Sequence, residues 1–115
     1  MTMRWSYIGK LGADGGLDWG GNYQGNVPVP ILPELHETKL YLIIRGLARE
    51  GAHEGREVDW GASAIKVNGP EILEILKSVY GDLENVRGSG ALTKYVKFAR
   101  ELGSEGFAAL IGAEM

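Results

Sequence analysis

The chain has 115 residues, a formal net charge of −3 and no cysteine. That is the length of one domain, enough to bury a core without staples. The lack of cysteine excludes disulfides, thiolate nucleophiles and cysteine-bound zinc. Acids and bases are interspersed with no Lys/Arg block, so there is no concentrated basic face for extended nucleic acid. No apolar run approaches the ~20 residues of a membrane span. Met1-Thr2-Met3-Arg4-Trp5 leads into polar, glycine-rich sequence without the apolar core of a signal peptide, and with the missing cysteines this points to a cytoplasmic protein.

Taken in chain order, Met3 to Ile8 reads as a strand, with Trp5 and Tyr7 on one face and Arg4, Ser6 and Ile8 on the other. From Gly9 to about Thr38 no period emerges. Gly9, Gly12, Gly15, Gly16, Gly20, Gly21 and Gly25 crowd this stretch, and Pro28, Pro30 and Pro33 each remove a backbone donor. Val27 to Pro33 therefore reads as extended or polyproline-like. Lys39 to Leu47 is apolar on both faces, and a central strand buried on two sides is expected there. After a polar loop over Arg49 to Arg56, Glu57 to Val67 reads as a strand bent at Gly61.

Asn68-Gly69-Pro70-Glu71 is a helix start. Asn68 or Gly69 caps, Pro70 suits the first turn, and Glu71 favours the positive end of the dipole. Ile72, Ile75, Leu76 and Val79 follow as one apolar stripe, and Gly81 stops it. A second helix is expected from about Ala91 to Leu102, with Leu92, Tyr95, Val96 and Ala99 inward and Lys94, Lys97, Arg100 and Glu101 in water. Gly103 ends it, and Phe107 to Ala113 forms a last apolar strand suited to the middle of the sheet. The expected fold is α+β: a single domain with a mixed sheet of about 4–5 strands, two helices on one face, and the order β-loop-β-β-α-α-β.

Two segments resemble each other. Gly12-Ala13-Asp14-Gly15-Gly16-Leu17-Asp18-Trp19-Gly20-Gly21 and Gly51-Ala52-His53-Glu54-Gly55-Arg56-Glu57-Val58-Asp59-Trp60-Gly61-Ala62 both run from Gly-Ala through an acid, a glycine and an aliphatic residue to Asp-Trp-Gly and a small residue. One reading is two similar turns into strands, with Asp capping and Gly supplying backbone freedom. The other is a pocket in which Trp19, Trp60 and Tyr23 stack on a planar ligand while Asp18 and Asp59 accept from its ring or ribose donors. Arg45, expected at a strand end, with Arg49 and Arg56 near it in sequence, would then contact an anion; the competing reading of each arginine is a structural ion pair.

Other motifs carry less. His36 and His53 are the only histidines. His36-Glu37 lacks the second histidine of a zincin helix, so no metal site is assigned, and a His/Asp enzyme would need long-range convergence with Asp14, Asp18 or Asp59. Gly88-Ser89-Gly90 beside Arg87 falls short of a phosphate loop. No Gly-x-Ser-x-Gly elbow occurs, and Lys66 reads as an outward strand lysine rather than a Schiff-base former.

The residues point to a small non-catalytic binding domain, without a cofactor, for a planar anionic, nucleotide-like ligand. A homodimer with a pocket at its seam would use the long loop. Two alternatives stand beside it. One is a protein-interaction or inhibitor module docking through Val27 to Pro33. The other is a small His/Asp-dependent enzyme.

Overall fold

A computed structural model describes residues 3–18, 30–59, 61–84 and 90–114, with the backbone alone at Asp59. Its elements are β1 (Arg4–Gly9), α1 (Thr38–Arg49), β2 (Arg56–Asp59), β3 (Ala62–Asn68), α2 (Gly69–Tyr80), α3 (Ala91–Leu102) and β4 (Phe107–Glu114). The strands form one sheet in the order β1-β4-β3-β2, and each neighbouring pair is antiparallel. The α+β class is as expected, and so is the insertion of the last strand into the middle of the sheet. The sheet is antiparallel, however, not mixed, and among the described residues three α-helices rather than two lie on it.

The additional helix replaces the strand expected over Lys39 to Leu47. Within α1, Leu40, Tyr41, Ile44 and Ala48 are buried while Leu42 and Gly46 are exposed. That is a helical stripe with period near 3.6, and Leu42, Ile43 and Leu47 at its flanks blur it into an apolar run. The start is set by Glu37, whose Oε1 accepts the Lys39 N–H at 3.3 Å. A run of twelve helical residues is also longer than a typical strand of five or six.

α2 begins as its sequence implies. Asn68 Oδ1 accepts the Glu71 N–H at 3.0 Å, and Glu71 Oε1 accepts the Asn68 N–H at 2.9 Å, a reciprocal capping box. Gly81 and Gly103 close α2 and α3 with positive φ. The two helices meet tightly at Gly69. A Cβ there would lie 2.2 Å from the Ala99 carbonyl oxygen, so glycine lets the start of α2 approach the end of α3.

The pleat divides the sheet into two apolar layers. On the helix face, Ile8, Ile65, Val67, Ala108 and Leu110 pack with Leu40, Ile44, Ile72, Leu76, Tyr95 and Val96. On the other, Tyr7, Ala64, Ala109 and Ile111 pack with Trp5, Val58, Leu11 and Leu17. β4 is thus buried on both sides, which explains its run of alanines and aliphatics without polar alternation.

The proline-rich segment has a structural task. Its described part, 30–33, and the two residues that follow run antiparallel along the free edge of β1. Ser6 and Leu35 exchange both backbone hydrogen bonds at 2.8 Å, and Ile31 N–H donates to the Ile8 carbonyl at 2.8 Å. Tyr95 Oη donates to the Pro33 carbonyl at 2.8 Å. The strap covers an edge that would otherwise offer free donors and acceptors. At the opposite edge β2 is short, charged and irregular in register between Glu57 and Asp59. Among the described residues, no helix is long and apolar enough to cross a membrane.

Candidate functional site

Where β1 begins and β4 ends, four polar side chains converge under α1. The register sets Arg4 opposite Glu114. One helical turn apart on α1, Tyr41 and Arg45 reach the same spot. Tyr41 Oη donates to Glu114 Oε2 at 2.6 Å. Arg4 Nε lies 3.6 Å from that oxygen and Arg45 Nη1 lies 4.0 Å from it. The Arg4 guanidinium also sits 5.4 Å from the centre of the Tyr41 ring, within range of a cation–π contact.

The close approach of α1 depends on small residues beneath it. Ser6, Gly112 and Ser63 form one row across β1, β4 and β3, on the helix side. A Cβ at Gly112 would touch Ile44 at 3.4 Å and the Tyr41 carbonyl oxygen at 3.5 Å. Ser6 is fully buried, and its Oγ has no hydrogen-bond partner among the described residues; neither has the buried Arg4 Nε.

The electrostatics follow from these contacts. The Tyr41 hydroxyl hydrogen bond is the main cause holding the Glu114 carboxyl below its ordinary range, and Arg4 and Arg45 add to it against a desolvation cost. Burial raises the Tyr41 phenol, and its hydrogen bond to the Glu114 carboxylate raises it further. The arginine distances exceed the 2.7–2.9 Å of a direct charge-assisted hydrogen bond. Both guanidiniums therefore act on Glu114 mainly through their charge, and Arg45 also opposes the rise of the Tyr41 phenol.

The residues singled out from sequence are distributed unevenly. Arg45 is in this cluster, on helix α1 rather than at a strand end. Arg49, one turn further on, is exposed and lies 3.9 Å from Glu57 Oε1. Arg56 pairs with Ala64, whose side chain belongs to the other face of the sheet, so the structure does not bring it to Arg45 and Arg49. Asp18 is exposed. Trp19, Tyr23, Trp60 and the Asp59 side chain lie outside the described residues, as do Val27–Val29 and Arg87–Ser89.

The two resembling segments differ in backbone where they are described. Gly12–Gly16 is a self-closed turn in which Asp14 Oδ1 accepts the Gly16 N–H at 2.9 Å. Ala52–Glu54 is a 3₁₀ turn after α1, entered through Gly51 at φ +75 and with His53 and Glu54 also at positive φ. Near the end of the second segment, Gly61 (φ +70) closes the β2–β3 hairpin. The Gly61 carbonyl accepts the Glu114 N–H at 2.8 Å. A Cβ at Gly61 would lie 2.5 Å from the Glu114 carbonyl oxygen. The hairpin end thus rests against the strand end that carries the arginine cluster.

The histidines are occupied elsewhere. His53 Nδ1 is 2.9 Å from Glu71 Oε2, the carboxylate whose other oxygen belongs to the α2 capping box. His36 is exposed, 3.7 Å from Glu34. Among the described residues, no three His, Asp or Glu side chains are grouped so as to hold a metal ion. Lys66 is 3.6 Å from Glu54 and lies over the Phe107 ring.

Sequence reading missed Arg4, Tyr41 and Glu114. Arg4 was legible as a helix-face position of β1, but its meeting with Glu114 depends on strand register between the two ends of the chain. Comparison with known protein families, curated proteins and solved structures finds no match.

Proposed function

We propose that the protein is a non-catalytic binding domain for a small, planar, anionic ligand, nucleotide-like in character, with Arg4 and Arg45 as its anion contacts. One observation carries this reading: two guanidiniums face a single carboxylate oxygen at 3.6 and 4.0 Å, leaving donors and one positive charge in excess. Neutralising that excess with an oxyanion is what planar guanidinium forks do best. Glu114 offers a second oxygen to a ligand's N–H or O–H group, and Tyr41 an aromatic edge.

In this reading the second Asp-Trp-Gly segment supplies the stacking surface. It ends at Gly61, bonded to Glu114, so Trp60 and Asp59 precede the site in the chain by one and two residues. Trp19, Tyr23 and Asp18 extend the pocket through the long loop, and Arg49 and Arg56 are peripheral charges. The protein works in the cytoplasm, and pairing of two copies through the long loop would enclose the ligand. The His/Asp enzyme is the less favoured reading because the carboxylates beside the two histidines are Glu71, at 2.9 Å from His53, and Glu34, at 3.7 Å from His36, and not Asp14 or Asp18. Docking of a partner through Val27 to Pro33 is disfavoured because 30–35 already spends its backbone on β1.

Calorimetric titration with cyclic AMP tests the reading. Saturable binding that weakens at least tenfold in Arg45→Gln supports it. Binding by neither form, or equal binding by both, contradicts it.

A further inference from the structure

The two edges of the sheet are protected in different ways. β2 blunts its own edge by being short, charged and shifted in register between Glu57 and Asp59. β1 has no such device. From Trp5 to Gly9 it carries no charge and no proline, and its pairing with β4 runs without a shift. Among the described residues, the strap alone covers it along Ser6 to Gly9.

The strap is held at few points. While β1 advances from Ser6 to Gly9, the strap runs from Pro30 to Leu35, two residues more. Pro30 and Pro33 have no N–H to donate. Three backbone hydrogen bonds join the segments: Ser6 with Leu35 in both directions, and Ile31 N–H to the Ile8 carbonyl. The slack between them is tied down from α3. Tyr95 is fully buried, and its hydroxyl donates to the Pro33 carbonyl at 2.8 Å. The Ile8 backbone hydrogen-bonds to the same hydroxyl.

Uncovered, β1 is complementary to itself. The backbone groups of Ser6 and Ile8 point away from β4, toward the strap. By the two-residue alternation of an antiparallel ladder, those of Arg4 point the same way. Two β1 strands related by a twofold at Ser6 set Ser6 against Ser6, Arg4 against Ile8 and Trp5 against Tyr7. That register forms about six backbone hydrogen bonds, more than the strap makes. It also brings Trp5 and Tyr7, which share the face away from the helices, into cross-strand aromatic pairs. We infer that the strap is an autoinhibitory cover, locked by Tyr95, that keeps a second copy of this chain from pairing through β1. This device is independent of the anion site.

Tyr95→Phe opens the lock and keeps the ring. Hydrogen exchange at the Ile31 and Leu35 amides, measured against the β4 amides, then quickens about tenfold, the worth of one buried hydrogen bond. Sedimentation of the variant shows a species of twice the unaltered protein's mass that grows with concentration. A Ser6→Cys/Leu35→Cys/Tyr95→Phe variant staples the strap shut. Ser6 and Leu35 exchange both backbone bonds, so their Cα atoms lie about 5.5 Å apart, within disulfide reach, and the chain has no cysteine of its own. With the disulfide shown to be intramolecular by mass in denaturant, the oxidised form lacks the doubled species and the reduced form regains it.

Unchanged exchange in Tyr95→Phe would refute Tyr95 as the lock. Faster exchange without a doubled species, or doubling that survives the staple, would overturn the cover, because copies would then not meet at β1.

Discussion

Valine at position 112 should push α1 off the sheet. Gly112 sits in the Ser6–Gly112–Ser63 row, and an added Cβ would lie 3.4 Å from Ile44 Cβ and Cγ2 and 3.5 Å from the Tyr41 carbonyl oxygen. A single methyl just fits. Gly112→Ala sets that contact against the roughly 0.5–1 kcal/mol gained by removing a glycine from a regular element, and the expected net change is close to zero. The γ-methyls of Gly112→Val have no room, because Ile44 is fully buried and the Tyr41 oxygen is backbone. Overpacking of this kind costs about 1–3 kcal/mol. For a domain of this size, that corresponds to a fall in melting temperature of very roughly 4–12 °C. Thermal melts of both variants by circular dichroism make the comparison. A valine variant that melts with the alanine variant would refute the placement of α1 against β4.

Two further outcomes follow from the same region. Ser6→Ala removes a buried hydroxyl without a partner among the described residues, and stability in urea should hold or rise, by up to about 1–3 kcal/mol of relieved desolvation; a clear loss would mean that the hydroxyl is bonded. Tyr41→Phe removes the main cause of the lowered Glu114 pKa. A lowered carboxyl pKa contributes stability that is present above the ordinary carboxylate range and lost as pH falls through the lowered value. The variant should therefore titrate Glu114 closer to the ordinary range by NMR, and its stability should depend less on pH in acid. An unmoved Glu114 titration would show that the hydrogen bond does not set it.

What could be read in advance was mostly local. The Asn68–Glu71 box, the Gly81 and Gly103 stops and the stripes of α2 and α3 depend on residues within one or two turns, and each was found where its chemistry sets it. β4 was legible as a central strand because it lacks polar alternation. α1 looks like a strand in sequence because its flanking apolar residues mask a stripe at Leu40, Ile44 and Ala48, and because its cap is a glutamate, an uncommon choice. The bend at Gly61 proved to be a hairpin, in which glycine meets the Glu114 backbone. The arginine cluster was hardest to foresee. Arg45 could be singled out by type alone, but its neighbours come from positions 4, 41 and 114, joined only by the β1–β4 register and the docking of α1.

The central claim is that Arg4 and Arg45 together hold an anion beside Glu114. Following the arginine side-chain Nε–Hε resonances by NMR while cyclic AMP is added tests it directly. Arg4 and Arg45 should shift together and saturate with one dissociation constant, while exposed Arg100 on α3 stays still. Unmoved Arg4 and Arg45 signals, or a uniform drift of all arginines with ionic strength, would contradict it.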